Sequence, residues 1–433
     1  MSHDELVISD VRAFEFLDSR GNPTVAVEVQ TKGGGKGLAI VPSGASKGKK
    51  EAVELRDGDS KRFFGKGVKK AVENVNTTIR KAILGMRADK QREIDELLIS
   101  LDGTKNKSNL GANAILGVSI ACAKAAANTL KIEVFEYIGG VFGSTLPVPL
   151  CNVINGGEHA GWNVDFQEYM IVPVGFSSFH DAIRCASEIF QTIKKILSEQ
   201  GIIPAVGDEG GFAPPLKDNE SALETLIFAT EKAGYTPSDN VFFALDLAAS
   251  SFYDEKEKLY ILKKEGKKMN TDELSEKIIR ICEKYPIISV EDPLAEDDWD
   301  GWKKLTQYLT QKGIQVVGDD IFVTNPEIFG KGIKEKIANA ILVKVNQIGT
   351  LTETFEVINM AKRTGYSTVI SHRSGDTEDT FISDLAVGVN AGQIKTGSLS
   401  RSERVAKYNR LIYIEGTGKA KFIGKKAFPL KHL

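Results

Sequence analysis

ANAILVK, residues 338–344, is a short apolar run, partly β-branched, that stops on a charged residue. The same form recurs on both sides of it. Before it come NVFFALD (240–246), PIISVE (286–291) and IQVVGD (314–319); after it come YSTVISH (366–372) and GQIK (392–395). Helical stretches separate the runs. After the first, each interval has the length of one strand–helix unit. Short apolar runs spaced in this way predict buried parallel strands. In a β/α barrel the C-terminal ends of the strands face the active site. One polar strand end means little, but Asp246, Glu291, Asp319, Lys344, His372 and Lys395 in series form a constellation.

Towards the N-terminus, residues 179–199 and 221–233 read as helices. Between them IIPAVGDEGGFAPP (202–215) places Asp208 and Glu209 in a Gly-rich loop. Short strands at 152–154 and 166–172 flank the loop NGGEHAGWNVD, which carries His159. The pattern differs before residue 140. Residues 5–41 alternate apolar and polar, with turn signals at 20–23 and 32–37, and predict a three-stranded antiparallel meander. Residues 67–84, 88–101 and 108–130 read as helices, the last capped by Ser108. The expected class is α/β: an N-terminal α+β domain over 1–140, then a β/α barrel over 141–433, with the Gly- and Pro-containing stretch 139–149 as linker. The stretch PSGASKGKK (42–50) is either a plain loop or a mobile lid that carries Ser46 to a ligand.

A chain of 433 residues is long for one domain, which agrees with two. With 42% hydrophobic and 26% charged residues it has the composition of a soluble globular protein. A net charge of -2 predicts neither a nucleic-acid partner nor an anionic membrane surface. Four cysteines without CxxC spacing argue against a zinc site or disulfide framework and fit a reducing compartment. The opening MSHDELVISD has no basic-plus-apolar signal region, and no apolar run is long enough to span a bilayer. The expected location is cytoplasmic.

Asp246, Glu291 and Asp319 are hard oxygen donors on successive strand ends, an arrangement that suits Mg²⁺. Asp292 and Asp320 each follow one of them, as partners of those ligands or as loop charges. A lysine ending an apolar strand is costly unless paired. Lys344 and Lys395 therefore either form ion pairs with these acids or serve chemistry, since a nearby divalent metal lowers a lysine's pKa and makes it a base. His372-Arg373-Ser374-Gly375 offers a guanidinium, a hydroxyl and loop amides, a grip for phosphate or carboxylate. His159 is either structural or reaches into the barrel mouth.

The stretches SGASKG (43–48), GGEHAG (156–161), FQEYM (166–170), GDEGGFAP (207–214), SVEDP (289–293), GDDIFVTNP (318–326), LVKVNQIGT (342–350), SHRSGDTEDTFISDLAVG (371–388) and GQIKTG (392–397) resemble the enolase, or phosphopyruvate hydratase, family. DSRGNPTVAVEV (18–29) and SNLGANAILGVS (108–119) match as well, so the resemblance runs in order over essentially the whole chain. It implies a carbon–oxygen lyase of glycolysis and gluconeogenesis that reversibly removes water from 2-phospho-D-glycerate to give phosphoenolpyruvate, with two Mg²⁺ per active site. Carried over by motif, Asp246, Glu291 and Asp319 hold the first Mg²⁺, and Ser46 on the lid helps bind the second. Lys344 removes the proton α to the carboxylate. Glu209, assisted by Glu168, protonates the departing hydroxyl, and Lys395 steadies the enolate. Arg373 and Ser374 hold the phosphate, His159 closes over it, and Gln167 and His372 line the pocket. The family implies a homodimer or an octamer. Some members also act as plasminogen receptors from a cell-surface or secreted pool, a role that can accompany catalysis.

Departures from the family pattern are small. Lys47 stands where the lid commonly has Thr, and WNVD after Gly161 lies in a variable loop. A superfamily dehydratase or racemase acting on an unphosphorylated acid sugar would keep the three metal acids. It would not need Ser46 or the Arg373-Ser374 grip. A purely structural or receptor descendant is not expected to keep the whole catalytic set, and the sequence ends in Lys431-His432-Leu433 without the terminal lysine such receptors often use.

Overall fold

The computed structural model describes residues 4–44 and 48–429, and of His159 the backbone alone. Ser46 and the centre of the expected lid therefore lie outside the described residues, as does the His159 side chain.

The alternating N-terminal stretch forms β1 (Ile8–Leu17), β2 (Pro23–Thr31) and β3 (Lys36–Ile40), an antiparallel meander in the order β1-β2-β3. Its buried face, which includes Val11, Val25, Val27 and Ala39, packs on helix α2 (Ala112–Leu130). The expected helix at 67–84 is a helical run from Lys69 to Ile83 with a π-helical middle, and the next is α1 (Gln91–Asp102). Ser108 does not cap α2. The helix starts three residues later behind Gly111, whose φ of +94° favours glycine. The first free N–H, of Ala112, bonds to the carbonyl of Val53 instead. Here a tertiary contact replaces the local cap.

The rest is a closed eight-stranded barrel. Its strands are β4 (Val148–Asn155), β5 (Glu168–Pro173), β6 (Val241–Asp246), β7 (Ile287–Glu291), β8 (Gln315–Gly318), β9 (Ala340–Val343), β10 (Ser367–Ser371) and β11 (Gly392–Lys395). The six apolar runs of the sequence are β6 to β11, all mutually parallel, and β11 closes the barrel by pairing in parallel with β4. Strand β5 alone runs antiparallel, to both neighbours. The chain between β4 and β5 contains no crossover helix, and a parallel return needs one. Two helices, α3 (Phe179–Glu199) and α4 (Asn219–Lys232), then precede β6, and single helices separate most later strands. Side chains including Leu150, Met170, Phe242 and Ile288 fill the barrel interior, with Phe428 closing its lower end.

The meander is seated on the barrel mouth. Ser43 exchanges two backbone hydrogen bonds with Gly375, at 2.7 and 2.8 Å. The approach requires glycine: a Cβ at 375 would lie 2.5–2.7 Å from Arg20, Asp18 and Ser43. Beneath, buried Asp95 of α1 accepts hydrogen bonds from the backbone N–H and hydroxyl of Thr352, at 2.9 and 2.7 Å. Thr352 lies in α8, and the helices between α4 and α8 are α5 (Thr271–Lys284), α6 (Trp299–Gln311) and α7 (Pro326–Glu335), with α8 spanning Leu351–Thr364. Among the described residues no single helix is long and apolar enough to cross a membrane.

Candidate active site

The polar strand ends converge on one mouth of the barrel. Asp246, Glu291 and Lys395 are the last residues of β6, β7 and β11; Asp319, Lys344 and His372 stand one residue beyond β8, β9 and β10. Register aligns them: Glu291 lies opposite Asp246, and so does Glu168 from the other side. Because β5 is reversed, Glu168 reaches this mouth as the first residue of its strand.

Lys395 is the hub of that row. Its Nζ lies 2.9 Å from Glu291 Oε1, 3.0 Å from Asp246 Oδ2 and 3.1 Å from Glu168 Oε1, all four groups being buried. Burial opposes its charge, but Asp246, Glu168 and Glu291 overcome this and hold its pKa well above the ordinary lysine value. On the facing side Lys344 pairs with Asp319 Oδ2. Gln347 donates to Asp319 Oδ1 at 2.9 Å, and Thr324 links Gln347 to the Lys344 backbone. Burial pulls the Lys344 pKa down and Asp319 pushes it up; the carboxylate wins. The protein's own groups thus act against the lowered pKa expected of a lysine base. Asp319 itself is held low, Lys344 outweighing burial.

The two uncertain acids differ in kind. Asp292 accepts the backbone N–H groups of Asp319 and Asp320, at 2.9 and 3.0 Å, so it orients the turn that presents Asp319. One carboxylate oxygen from each of Asp292, Asp319 and Asp320 lies within 4.8 Å of the others. Burial, then Asp319, pushes Asp320 up to about 8. Glu168, Glu291 and Asp292 are raised well above the carboxylate range, each mainly by burial and then by neighbouring acids. The mouth therefore holds more buried carboxylate than Lys344, Lys395 and Arg373 neutralise, and among the described residues Glu168 Oε2 is buried without a partner. A hard divalent cation fits this donor set.

Glu209 comes from a loop rather than a strand end, and after burial it is the main cause that raises Glu168. Its loop is closed by Gly207, which bonds back to Gly211 at 2.8 Å, and by Gly210, whose φ of +87° and 2.5 Å approach to the Ser400 carbonyl exclude a Cβ. Asn152 of β4 donates to Glu209 Oε2 at 3.0 Å. His372 Nε2 lies 3.6 Å from the same oxygen.

Arg373 is not an open anion grip. Its two Nη atoms hold Glu51 at 3.1 Å each, and Nη1 also donates to Asn346 at 3.0 Å. Glu51 lies just past the expected lid. A sequence reading has no signal for it, because its partner is far away in the chain. Asn152, Asn346 and Gln347 were also unforeseen; a polar residue within the wholly buried strand β4 was the one available hint. Ser374 and Gln167 line the same cavity as the acids.

The buried Arg373–Glu51 fork sets an expectation. Arg373→Lys keeps a charge for Glu51 but loses the two-pronged geometry. A charge-assisted hydrogen bond contributes about 1.5–3 kcal/mol, so KM for an anionic substrate should rise about 10- to 100-fold, with melting moved by only a few degrees. Steady-state kinetics beside thermal denaturation checks this; an unchanged KM would remove Arg373 from the ligand site.

Two family models match the chain. One, described as the enolase N-terminal domain, matches residues 8–138; the other, the enolase C-terminal TIM barrel domain, matches residues 143–430.

Proposed function

Because the chain belongs to the enolase family, we propose that it reversibly dehydrates 2-phospho-D-glycerate to phosphoenolpyruvate, using Mg²⁺ held by Asp246, Glu291 and Asp319. The observation that carries this reading is that one cavity brings together buried lysines, metal-type carboxylates and a further acid from another loop. Lysines interleave with the metal-type carboxylates, and another buried acid, Glu209, is oriented by a hydrogen bond from Asn152.

The reaction needs both a base and an acid. The proton α to a carboxylate is too weakly acidic for water to remove, and hydroxide is a poor leaving group. One group must take a proton and another must give one. Lys344 is the base, with its amine directed by Asp319 and Gln347. Glu209 gives its proton to the departing hydroxyl. The substrate carries about three negative charges, and a fourth develops as the α-proton leaves. Bound Mg²⁺ supplies positive charge at the substrate carboxylate and lowers the pKa of the neighbouring lysine. Lys395, fixed by three carboxylates, holds its charge beside the forming enolate. Arg373 and Ser374 take the phosphate, which competes with Glu51 for the guanidinium. Glu168 positions Lys395 from 3.1 Å.

The test is the ultraviolet absorbance of phosphoenolpyruvate. EDTA should abolish its formation, Mg²⁺ should restore it, and Asp246→Asn should need far more Mg²⁺ for the same rate. Full turnover in metal-free buffer would sink the reading. Equal turnover of an unphosphorylated acid sugar would move the protein to another branch of the superfamily.

A further inference from the structure

Arg404 lies in α10 (Ser402–Gly416), the helix that follows α9 (Phe381–Gly388) and β11, and is fully buried at 0% exposure. A buried guanidinium is expensive unless its N–H groups are matched. All four Nη hydrogens have acceptors. Nη1 donates to His372 Nδ1 and to the Arg373 carbonyl; Nη2 donates to the Ser374 carbonyl at 2.6 Å and the Asp208 carbonyl at 3.2 Å. Three of these acceptors belong to the 372–374 segment and one to the loop that carries Glu209. The arginine thus ties together two loops of the site without reaching it.

The contact with His372 has a chemical consequence. A guanidinium can only donate, so Nδ1 must accept and keep its lone pair. A proton on Nδ1 would face an N–H of a permanent cation. The neutral ring then carries its proton on Nε2, the atom 3.6 Å from Glu209 Oε2. The charged groups facing the ring are Glu209, Arg404, Asp376 and Lys395. Burial, with Arg404 adding to it, outweighs the pull of Glu209 and keeps the imidazole neutral.

We propose that Arg404 is a positioning residue for the acid half of the reaction: it locks His372 as the Nε2–H tautomer, which faces Glu209 and the leaving group. Asn152 already donates to Glu209 Oε2. A second N–H aimed at that oxygen directs the acid's own proton to Oε1. In elimination the C–O bond breaks with its electron pair going to oxygen, and the Oε1 proton turns that oxygen into water. Neutrality of the ring matters as much as its orientation. An imidazolium at this place would favour the ionised carboxylate and deprive Glu209 of the proton it must give. The 3.6 Å gap is longer than a hydrogen bond, as is common before a ligand closes such a site.

The kinetic part of this inference rests on the dehydratase reading, whereas the tautomer does not. The chain has five histidines, so ¹⁵N-histidine labelling yields a resolvable spectrum, with His372→Gln assigning the signal. In the unmodified protein His372 should show a bare Nδ1 and a protonated Nε2, unchanged from about pH 6 to about pH 8, the range in which a free imidazole titrates. A proton on Nδ1, or titration in that range, overturns the proposal. Arg404→Met should release the tautomer and cut dehydration at saturating 2-phosphoglycerate about 100-fold. Exchange of the α-proton with deuterated solvent should persist within a few-fold, and added guanidinium should restore dehydration. Equal loss of exchange and dehydration with an unaltered His372 spectrum makes Arg404 merely structural. Arg404→Gln, whose amide oxygen can accept from a protonated Nδ1, serves the same comparison if the methionine variant does not fold. A wild-type protein inactive on 2-phosphoglycerate but with the expected spectrum refutes the function, not the tautomer.

Discussion

In deuterated buffer, Lys344→Ala should lose both phosphoenolpyruvate formation and exchange of the α-proton, whereas Glu209→Gln should lose phosphoenolpyruvate formation and keep exchanging. The two residues serve consecutive events. Lys344 stands one residue past β9, in the barrel mouth, with its amine paired to Asp319. Without that amine the C–H bond stays closed, and no later step is reached. Glu209 is held by Asn152 on a separate loop and acts only when the hydroxyl departs. Its amide variant retains size and hydrogen bonding but has no transferable acid proton. Loss of a positioned acid or base typically costs about 10²–10⁴-fold, so by product formation both variants look nearly dead. Mass or NMR detection of deuterium at the α-carbon separates them. Should Glu209→Gln lose exchange while Lys344→Ala keeps it, the assigned roles are reversed.

Lys395→Met should damage both activity and the fold. It removes the ammonium that lies within 3.1 Å of Glu168, Asp246 and Glu291 alike. Breaking a buried ion pair by deleting one partner costs about 3–5 kcal/mol, because the remaining charge is stranded. The variant's stability should also depend on pH more steeply than the wild type's, and the sign of the added dependence is fixed. In the wild type the folded pKa of Lys395 is above its ordinary value, so its contribution is whole at neutral pH and fades only in strong alkali. In the variant, Glu168 and Glu291, already raised by burial and by neighbouring acids, lose the charge that lowers them. A carboxyl whose folded pKa exceeds its unfolded one binds more protons when folded, so stability increases as pH falls. Denaturant unfolding in EDTA at mildly acidic and mildly alkaline pH checks this. A variant equally stable at both, and close to wild type, would show that the three acids do not depend on Lys395.

Much of this site was readable because each strand ends where its polar residue begins. Asp246, Glu291, Asp319, Lys344, His372 and Lys395 all close apolar runs, and the parallel barrel gathers them at one mouth. The rule fails for Glu168. It opens its strand, because β5 runs backwards, and only its motif suggested a role. Arg404 gave no hint: SERVAKYNR has the polar look of an exposed helix, and only the packed loops reveal that its guanidinium is enclosed. Arg373 looked like a ready grip, yet Glu51 occupies it, a pairing no local pattern encodes. Of the two readings open for Lys344, the ion pair is the one present without a metal: Asp319 outweighs burial and holds its pKa up. Ser108 likewise looked like a cap until Val53 took its place.

The pairing of β11 with β4 has a consequence for how the chain is made. During synthesis β4 emerges early, and its partner in the closed barrel comes almost last. Until then the nascent barrel has an open edge of wholly buried-type residues, which invites association with other chains. The acids wait too: Lys395, separated from Asp246 by 149 residues, arrives on that same final strand. Closing the hydrogen-bond ladder and neutralising the acidic row are therefore one event. A ribosome stalled shortly before residue 392 would hold a chain short of both, with that edge still open to other chains.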